Sequence, residues 1–275
     1  MHQVPTSLSV GVTLALGLVL LAYVRGWVRL WRLQPQAASR SRLAAFLGGV
    51  AFLWLAVASP LAGMDHQCLT FHMLQHLLEM NVAAPLLLLG APFLAFRAAL
   101  LEVQPLGGFG RWLPSKAVRR LGRWLTHPAV CWLLGTTVVV GWHVPVVLEL
   151  TLRSPAWHAV QHASFLFAGL LFWWPVVLPW PAVPHWPRWA IPLYLFFATL
   201  PCDALSAFLA FCGRVVYPHY LVHAAPGDVS PLADQAGAGA LMWCFVTVAY
   251  LLPAVLITLQ LLSPRRPPAR PVVAS

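Results

Sequence analysis

Seven apolar runs, each long enough to cross a bilayer as a helix, constrain this sequence more than any other feature. A hydrocarbon core of about 30 Å needs a helix of about 20 apolar residues, and the runs lie at residues 8–30, 43–60, 69–94, 129–150, 157–178, 189–212 and 235–262. Only 9% of the 275 residues are charged, against about 25% in soluble proteins. Because the runs are continuous and lack two-residue alternation, the sequence predicts an all-α fold: a single polytopic transmembrane domain over residues 1–275.

The basic residues predict how this bundle sits in the membrane. Of the 17 lysines and arginines, 15 fall at the end of the first run, in the first, third and fifth connections, or in the C-terminal tail. The opposite side carries only Arg153 and Arg214. The positive-inside rule therefore predicts an outside N-terminus and a cytoplasmic C-terminus. With its basic residues in short loops, the net charge of +10 does not indicate a nucleic-acid partner.

The motif H-x-x-Q-H occurs in two of the runs and predicts a metal site. His72 and His76 lie in the third run, and His158 and His162 lie in the fifth. Histidines at i and i+4 share one helix face. Both helices enter from the outer side, so we expect the four imidazoles at one depth, with His143 near the outer end of the fourth run.

Sulfur and carboxylate groups extend this set. Met73 and Met242 lie in the outer halves of their helices, and imidazole with thioether suits copper, above all Cu(I). Asp234 begins the seventh run, and Glu79 shares a helix face with His76 and could orient its imidazole. None of the five cysteines forms a C-x-x-C pair, which disfavours a thiol-exchange copper chaperone.

Several of these residues also have a purely structural interpretation. His143 could be a hydrogen-bonding residue, the methionines could be core, and Asp234 could be a helix N-cap. The remaining outer histidines, His66, His219 and His223, are interpreted as solvated loop residues.

At these motifs the chain resembles a known family. The segments are FHMLQHLLEMNVAAPLLLLGAP at 71–92, HAVQHASFLFAGLLFWWP at 158–175, and the start of the seventh run, where Asp234-Gln235 precedes Met242-Trp243. Together they resemble the seven-span cytochrome c oxidase assembly factors of the CtaG type, from about the second helix to the seventh. Glu79 departs from the family pattern, which is apolar at that position.

The resemblance implies a role in maturing a haem-copper oxidase in a bacterial cytoplasmic membrane. The implied partner is an oxidase subunit with an outward-facing copper centre, and the implied cargo is transiently bound copper. The matching positions are His72, His76, His158, His162, Asp234 and Met242. Such a factor would not be an enzyme, and the sequence contains no evident catalytic residues.

Other functions stay open from the sequence. Histidines on two facing helices could bind haem through two axial ligands, and a polar-lined bundle could be a copper permease. An iron oxidase or a zinc hydrolase is disfavoured because the sequence has neither H-x-x-H-H nor H-E-x-x-H.

Overall fold

The computed structural model describes residues 6–36, 38–103, 116–177, 186–223 and 229–263. Every regular element in these residues is helical, which confirms the all-α prediction. The helices are α1 (Thr6–Leu33), α2 (Arg40–Val57), α3 (Leu69–Leu78), α4 (Ala84–Leu89), α5 (Pro92–Val103), α6 (Lys116–Leu125), α7 (Pro128–Trp142), α8 (Pro145–Arg153), α9 (Pro155–Val177), α10 (Ala190–Phe211), α11 (His219–His223) and α12 (Pro231–Leu262). A 3₁₀ turn at Pro60–Gly63 precedes α3, and a π turn at Glu79–Ala83 joins α3 to α4.

Five of these helices are long and apolar enough to cross a membrane: α1, α2, α9, α10 and α12. Two bent pairs raise the number to as many as seven, if each pair forms one span. The chain is therefore a multi-pass membrane protein. The bounds of the five helices lie close to the predicted runs, although the predicted end at residue 178 lies outside the described residues. The exact number of spans and the orientation stay predictions.

The third and fourth apolar runs are bent, and each bend lies at a proline, a residue that interrupts or kinks helices. The segment Leu69–Leu89 meets α5 at 55°, and α7 meets α8 at 73°. Each second helix begins with a proline, Pro92 or Pro145, which has no N–H to continue the preceding helix. The residues before them leave the helical region: Val144 is extended and Ala91 has a φ of 48°.

A third proline accounts for the π turn. The Ala84 N–H donates to the Glu79 carbonyl rather than to that of Met80, and Pro85 has no N–H to offer the Met80 carbonyl either. The indole N–H of Trp173 on α9 donates to the Met80 oxygen at 3.0 Å. A buried carbonyl that the backbone leaves unpaired is thus satisfied by the neighbouring helix.

Helix α9 packs closely against this π turn at Gly169. A Cβ atom built there would lie 2.9 Å from both the Met80 Cα and the Met80 oxygen. Small residues permit such close approach of membrane helices. The contact lies within the largest buried apolar cluster, which includes Met80, Phe172 and Tyr194.

We predict that Gly169→Ala separates α9 from the π turn and destabilises the protein by about 1–3 kcal/mol, as overpacking does in cores. Thermal unfolding in detergent is the measurement. Gly141→Ala is the matched control, because nothing lies within 4 Å of a Cβ there. Equal unfolding temperatures for the two variants would contradict the close contact at Gly169.

Candidate metal centre

The two H-x-x-Q-H helices face each other and bring their four histidines together. The ring centroids of His72 and His158 lie 5.7 Å apart, and those of His76 and His162 lie 5.0 Å apart. Within each helix the pair is in direct contact: the Nε2 atoms are 3.1 Å apart in His72–His76 and also in His158–His162. Two nitrogen donors on one tetrahedral ion would lie about 3.3 Å apart, so each pair has a spacing suited to ligation.

Glu79 joins the two helices at the deep end of this cluster. Its side chain is fully buried, and its two oxygens reach different helices. Oε2 lies 3.3 Å from His76 Nδ1, and Oε1 lies 2.7 Å from His162 Nδ1. If each Nδ1–H donates to the carboxylate, a neutral imidazole keeps its lone pair on Nε2. A carboxylate orients metal-binding histidines in this way in many proteins.

Three of these residues could hold one cation directly. One donor atom from each of His76, Glu79 and His162 lies within 4.8 Å of the other two. We call this set the inner trio. It consists of two imidazoles and a carboxylate, a combination that binds divalent transition metals.

A second set of donors lies at the outer end of the cluster. One donor atom from each of Asp65, His66 and His158 lies within 4.8 Å of the other two, and we call this set the outer trio. Asp65 is fully buried; its Oδ1 accepts from the His66 N–H at 2.8 Å, and its Oδ2 lies 3.2 Å from His158 Nε2. Burial raises the pKa of the Asp65 carboxyl, while the neighbouring histidines oppose this shift.

Both trios border a large cavity. Its volume is about 1120 Å³, and its polar wall includes His66, Glu79, His158 and His162. Its apolar lining includes Val12, Leu16, Leu53 and Val57 from the first two helices, together with residues of α8, α9 and α11. The donor groups are thus accessible from a space within the protein.

Two methionines and His143 were also predicted as site residues. Met242 is buried in the same apolar cluster as Phe172, and Met73 is buried in a separate cluster with Leu148. His143 Nδ1 donates to the Val139 carbonyl at 2.7 Å, and its Nε2 is buried with no hydrogen-bond partner.

Asp234 fastens the beginning of α12 to the beginning of α3. Its carboxylate accepts from the Leu69 N–H at 2.6 Å, from the Thr70 N–H at 3.2 Å and from the Thr70 hydroxyl at 2.6 Å. The Cys68 thiol donates to it at 3.0 Å. These contacts give Asp234 the role of an N-cap for α3, supplied from another helix.

Sequence reasoning missed two donors that the structure places at the site, Asp65 and His66, whereas it expected Glu79 beside His76 and did not foresee its contact with His162. The interpretation of His219 as solvated is wrong, because only 9% of it is exposed and its Nε2–H donates to the His66 carbonyl at 3.1 Å. His223 is exposed, as predicted. The position of the Asp65-His66 pair, shortly before an H-x-x-Q-H motif, could have indicated these two residues as further donors.

The fold and the site together define a multi-pass helical membrane protein with a buried cluster of histidines and carboxylates. The family model for the cytochrome c oxidase caa3 assembly factor (Caa3_CtaG) matches residues 21–263. The chain therefore belongs to this family, which confirms the resemblance found in its motifs.

Three mycobacterial proteins without an assigned function are similar to the chain. Uncharacterized proteins of Mycobacterium bovis and Mycobacterium tuberculosis are each 26% identical to it over 267 residues, covering 91% of this chain and 37% of the relative. One from Mycobacterium leprae is 27% identical over 252 residues, covering 88% and 37%. The chain thus spans little more than a third of the length of these relatives. No solved structure matches it.

We predict that Asp234→Asn lowers the free energy of unfolding by about 1–3 kcal/mol, because hydrogen bonds to a charged group are lost. Metal content should stay unchanged, since the structure gives Asp234 no place in either trio. Thermal unfolding and elemental analysis measure the two effects.

Glu149→Gln is the matched control for Asp234→Asn, since it breaks an exposed ion pair with Arg153 that is worth at most about 1 kcal/mol. A variant that kept its stability but lost bound metal would make Asp234 a ligand instead of a cap.

Proposed function

We propose that this protein supports the maturation of a haem-copper cytochrome c oxidase by binding copper at its histidine cluster and transferring it to an oxidase subunit. The family is one of cytochrome c oxidase assembly factors, which favours a non-catalytic role. The observation that carries the copper proposal is the inner trio, where Glu79 joins His76 of one helix to His162 of another.

The burial of this carboxylate supports a metal site. An ionisable group within a membrane helix is costly and marks function more often than stability. Glu79 is fully buried, yet both of its oxygens face imidazole nitrogens. A cation at the trio would offset the carboxylate charge, and the rings of His72 and His158 lie next to this trio.

The donor atoms favour copper among the first-row divalent ions. Both trios offer nitrogen and oxygen ligands, and the affinity of such sites is highest for Cu²⁺. The side chains of Met73 and Met242 pack in apolar clusters, and no contact of their sulfur atoms carries the proposal. The proposal therefore rests on imidazole and carboxylate ligands, and it does not require Cu(I).

The depth of the cluster suits delivery to an outward-facing copper centre. His158 lies in the first turns of α9, and the outer trio includes the loop that precedes α3. With the predicted orientation, this end of the bundle faces away from the cytoplasm. A copper centre on the outer side of an oxidase subunit would then be within reach of the cavity.

Haem ligation fits this geometry less well than copper. His76 and His162, which face each other from the two helices, have ring centroids only 5.0 Å apart, and Glu79 contacts both rings. A macrocycle between them would have to push the two rings apart and displace the carboxylate. An absorption spectrum of the purified protein separates the two proposals.

The test is copper content after loading with Cu²⁺, together with oxidase activity in cells that carry each variant. We predict that His76→Ala with His162→Ala removes copper from the inner trio and lowers the activity of the oxidase. Glu79→Gln should keep the shape of the site while weakening copper affinity by about tenfold or more, enough for the inner ion to be lost on gel filtration, because a negative charge is lost.

His127→Asn is the matched control, because it replaces a histidine on the N-cap of α7 and keeps a cap acceptor. This variant should retain wild-type copper content and oxidase activity. Unchanged copper content in the double variant would refute the inner trio as a copper site. A Soret band in place of bound copper would replace the proposal with haem binding.

A further inference from the structure

We infer that the outer trio is a second cation position. Ions would reach and leave the inner trio through it, by way of the neighbouring histidines His158 and His162. This inference rests on the proposed copper-handling function and gives it a route. It assigns Asp65, His66 and His158 to binding, and it places His219 and His223 at the mouth of that route.

The first argument is that one oxygen of the Asp65 carboxylate is buried without a hydrogen bond. Asp65 is fully buried, and its Oδ2 has no hydrogen-bond partner, although His158 Nε2 lies 3.2 Å away at ion-pair distance. A buried carboxylate oxygen left in this way is costly. A cation held between Asp65, His66 and His158 would satisfy it.

The second argument is the equal composition of the two positions. Each trio contains two imidazoles and one carboxylate, with Asp65 in the outer trio and Glu79 in the inner one. A single ion would need only one of these buried acids. Two acids, each beside its own pair of histidines, provide a separate anionic ligand set for each of two cations.

The third argument is the connection between the trios. His158 of the outer trio and His162 of the inner trio are neighbours on α9, with their Nε2 atoms 3.1 Å apart. An ion could therefore exchange one imidazole for the next without passing through a region that lacks donors. The His72–His76 pair runs beside them on α3.

At the mouth of the cavity, His219 and His223 extend this series of histidines from the outer trio to the surface. The ring centroids of His66 and His219 lie 6.1 Å apart, and His219 stacks on His223 at 4.2 Å. His223 is exposed, whereas Glu79 is fully buried. Imidazoles thus line a path from the exposed His223 to the inner trio.

The experiment uses the full chain in detergent, with Cu²⁺ as the probe. Copper per chain is counted by elemental analysis after gel filtration, and its removal by an added chelator is followed over time. Wild type should hold two coppers per chain. Asp65→Asn and Glu79→Gln should each hold one, and Glu149→Gln, which changes a cavity carboxylate outside both trios, should hold two.

The rate of removal tests the direction of the route. In Asp65→Asn the remaining copper should leave about tenfold more slowly, because the outer position no longer accepts it. In Glu79→Gln the remaining copper should leave at least as fast as the outer ion of wild type. His66→Gln repeats the Asp65 test at a partly exposed residue, and thermal unfolding shows whether each variant is folded.

Each outcome separates the inference from the proposed function. One copper in wild type that depends on Glu79 but not on Asp65 or His66 would overturn the second position and leave the proposed function standing. Loss of all copper in both Asp65→Asn and folded His66→Gln would mean a single shared site, which also overturns the inference. An unchanged removal rate in Asp65→Asn would overturn the route, and no copper in wild type would overturn the proposed function as well.

Discussion

The buried carboxylate of Glu79 is the interaction on which the arrangement of this bundle depends. A charge in a membrane helix is tolerated when it has partners within the protein, and Glu79 has one on its own segment, His76, and one on α9, His162. These two contacts fix the distance and the rotation of α9 relative to α3. Removing either imidazole would leave a buried charge with half of its partners, which costs several kcal/mol.

The backbone around Glu79 places its side chain against the histidines of both helices. Glu79 begins the π turn, so its side chain leaves the helix where the regular hydrogen-bond pattern is interrupted. Such turns are frequent at functional sites. The interruption is compensated from α9, where Trp173 satisfies the free Met80 carbonyl and Gly169 lets the two backbones approach. The helix that supplies His158 and His162 therefore also supports the turn that supplies Glu79.

The sequence predicts most of the fold because periodicity and apolar length are local properties. It also predicts the meeting of His72 and His76 with His158 and His162, since both pairs begin helices that enter from one side. It does not predict Asp65 beside His158, because that contact depends on how a loop folds across residues far apart in the chain. Met242 shows the same limit: an outer position on its helix leaves open whether it faces the cluster or the core.

The number of donors in each trio bears on what the site can do with an ion. Structural metal sites are closed by four protein ligands, whereas sites that act on a bound group keep a position open. Each trio has three donors and borders the cavity, so an ion held there would keep a coordination position for a ligand from a recipient protein. Transfer between proteins needs such an intermediate, in which donor and recipient both hold the ion. A fully enclosed four-ligand site would bind copper more tightly. Such a site could release the copper only after one of its own four ligands had dissociated.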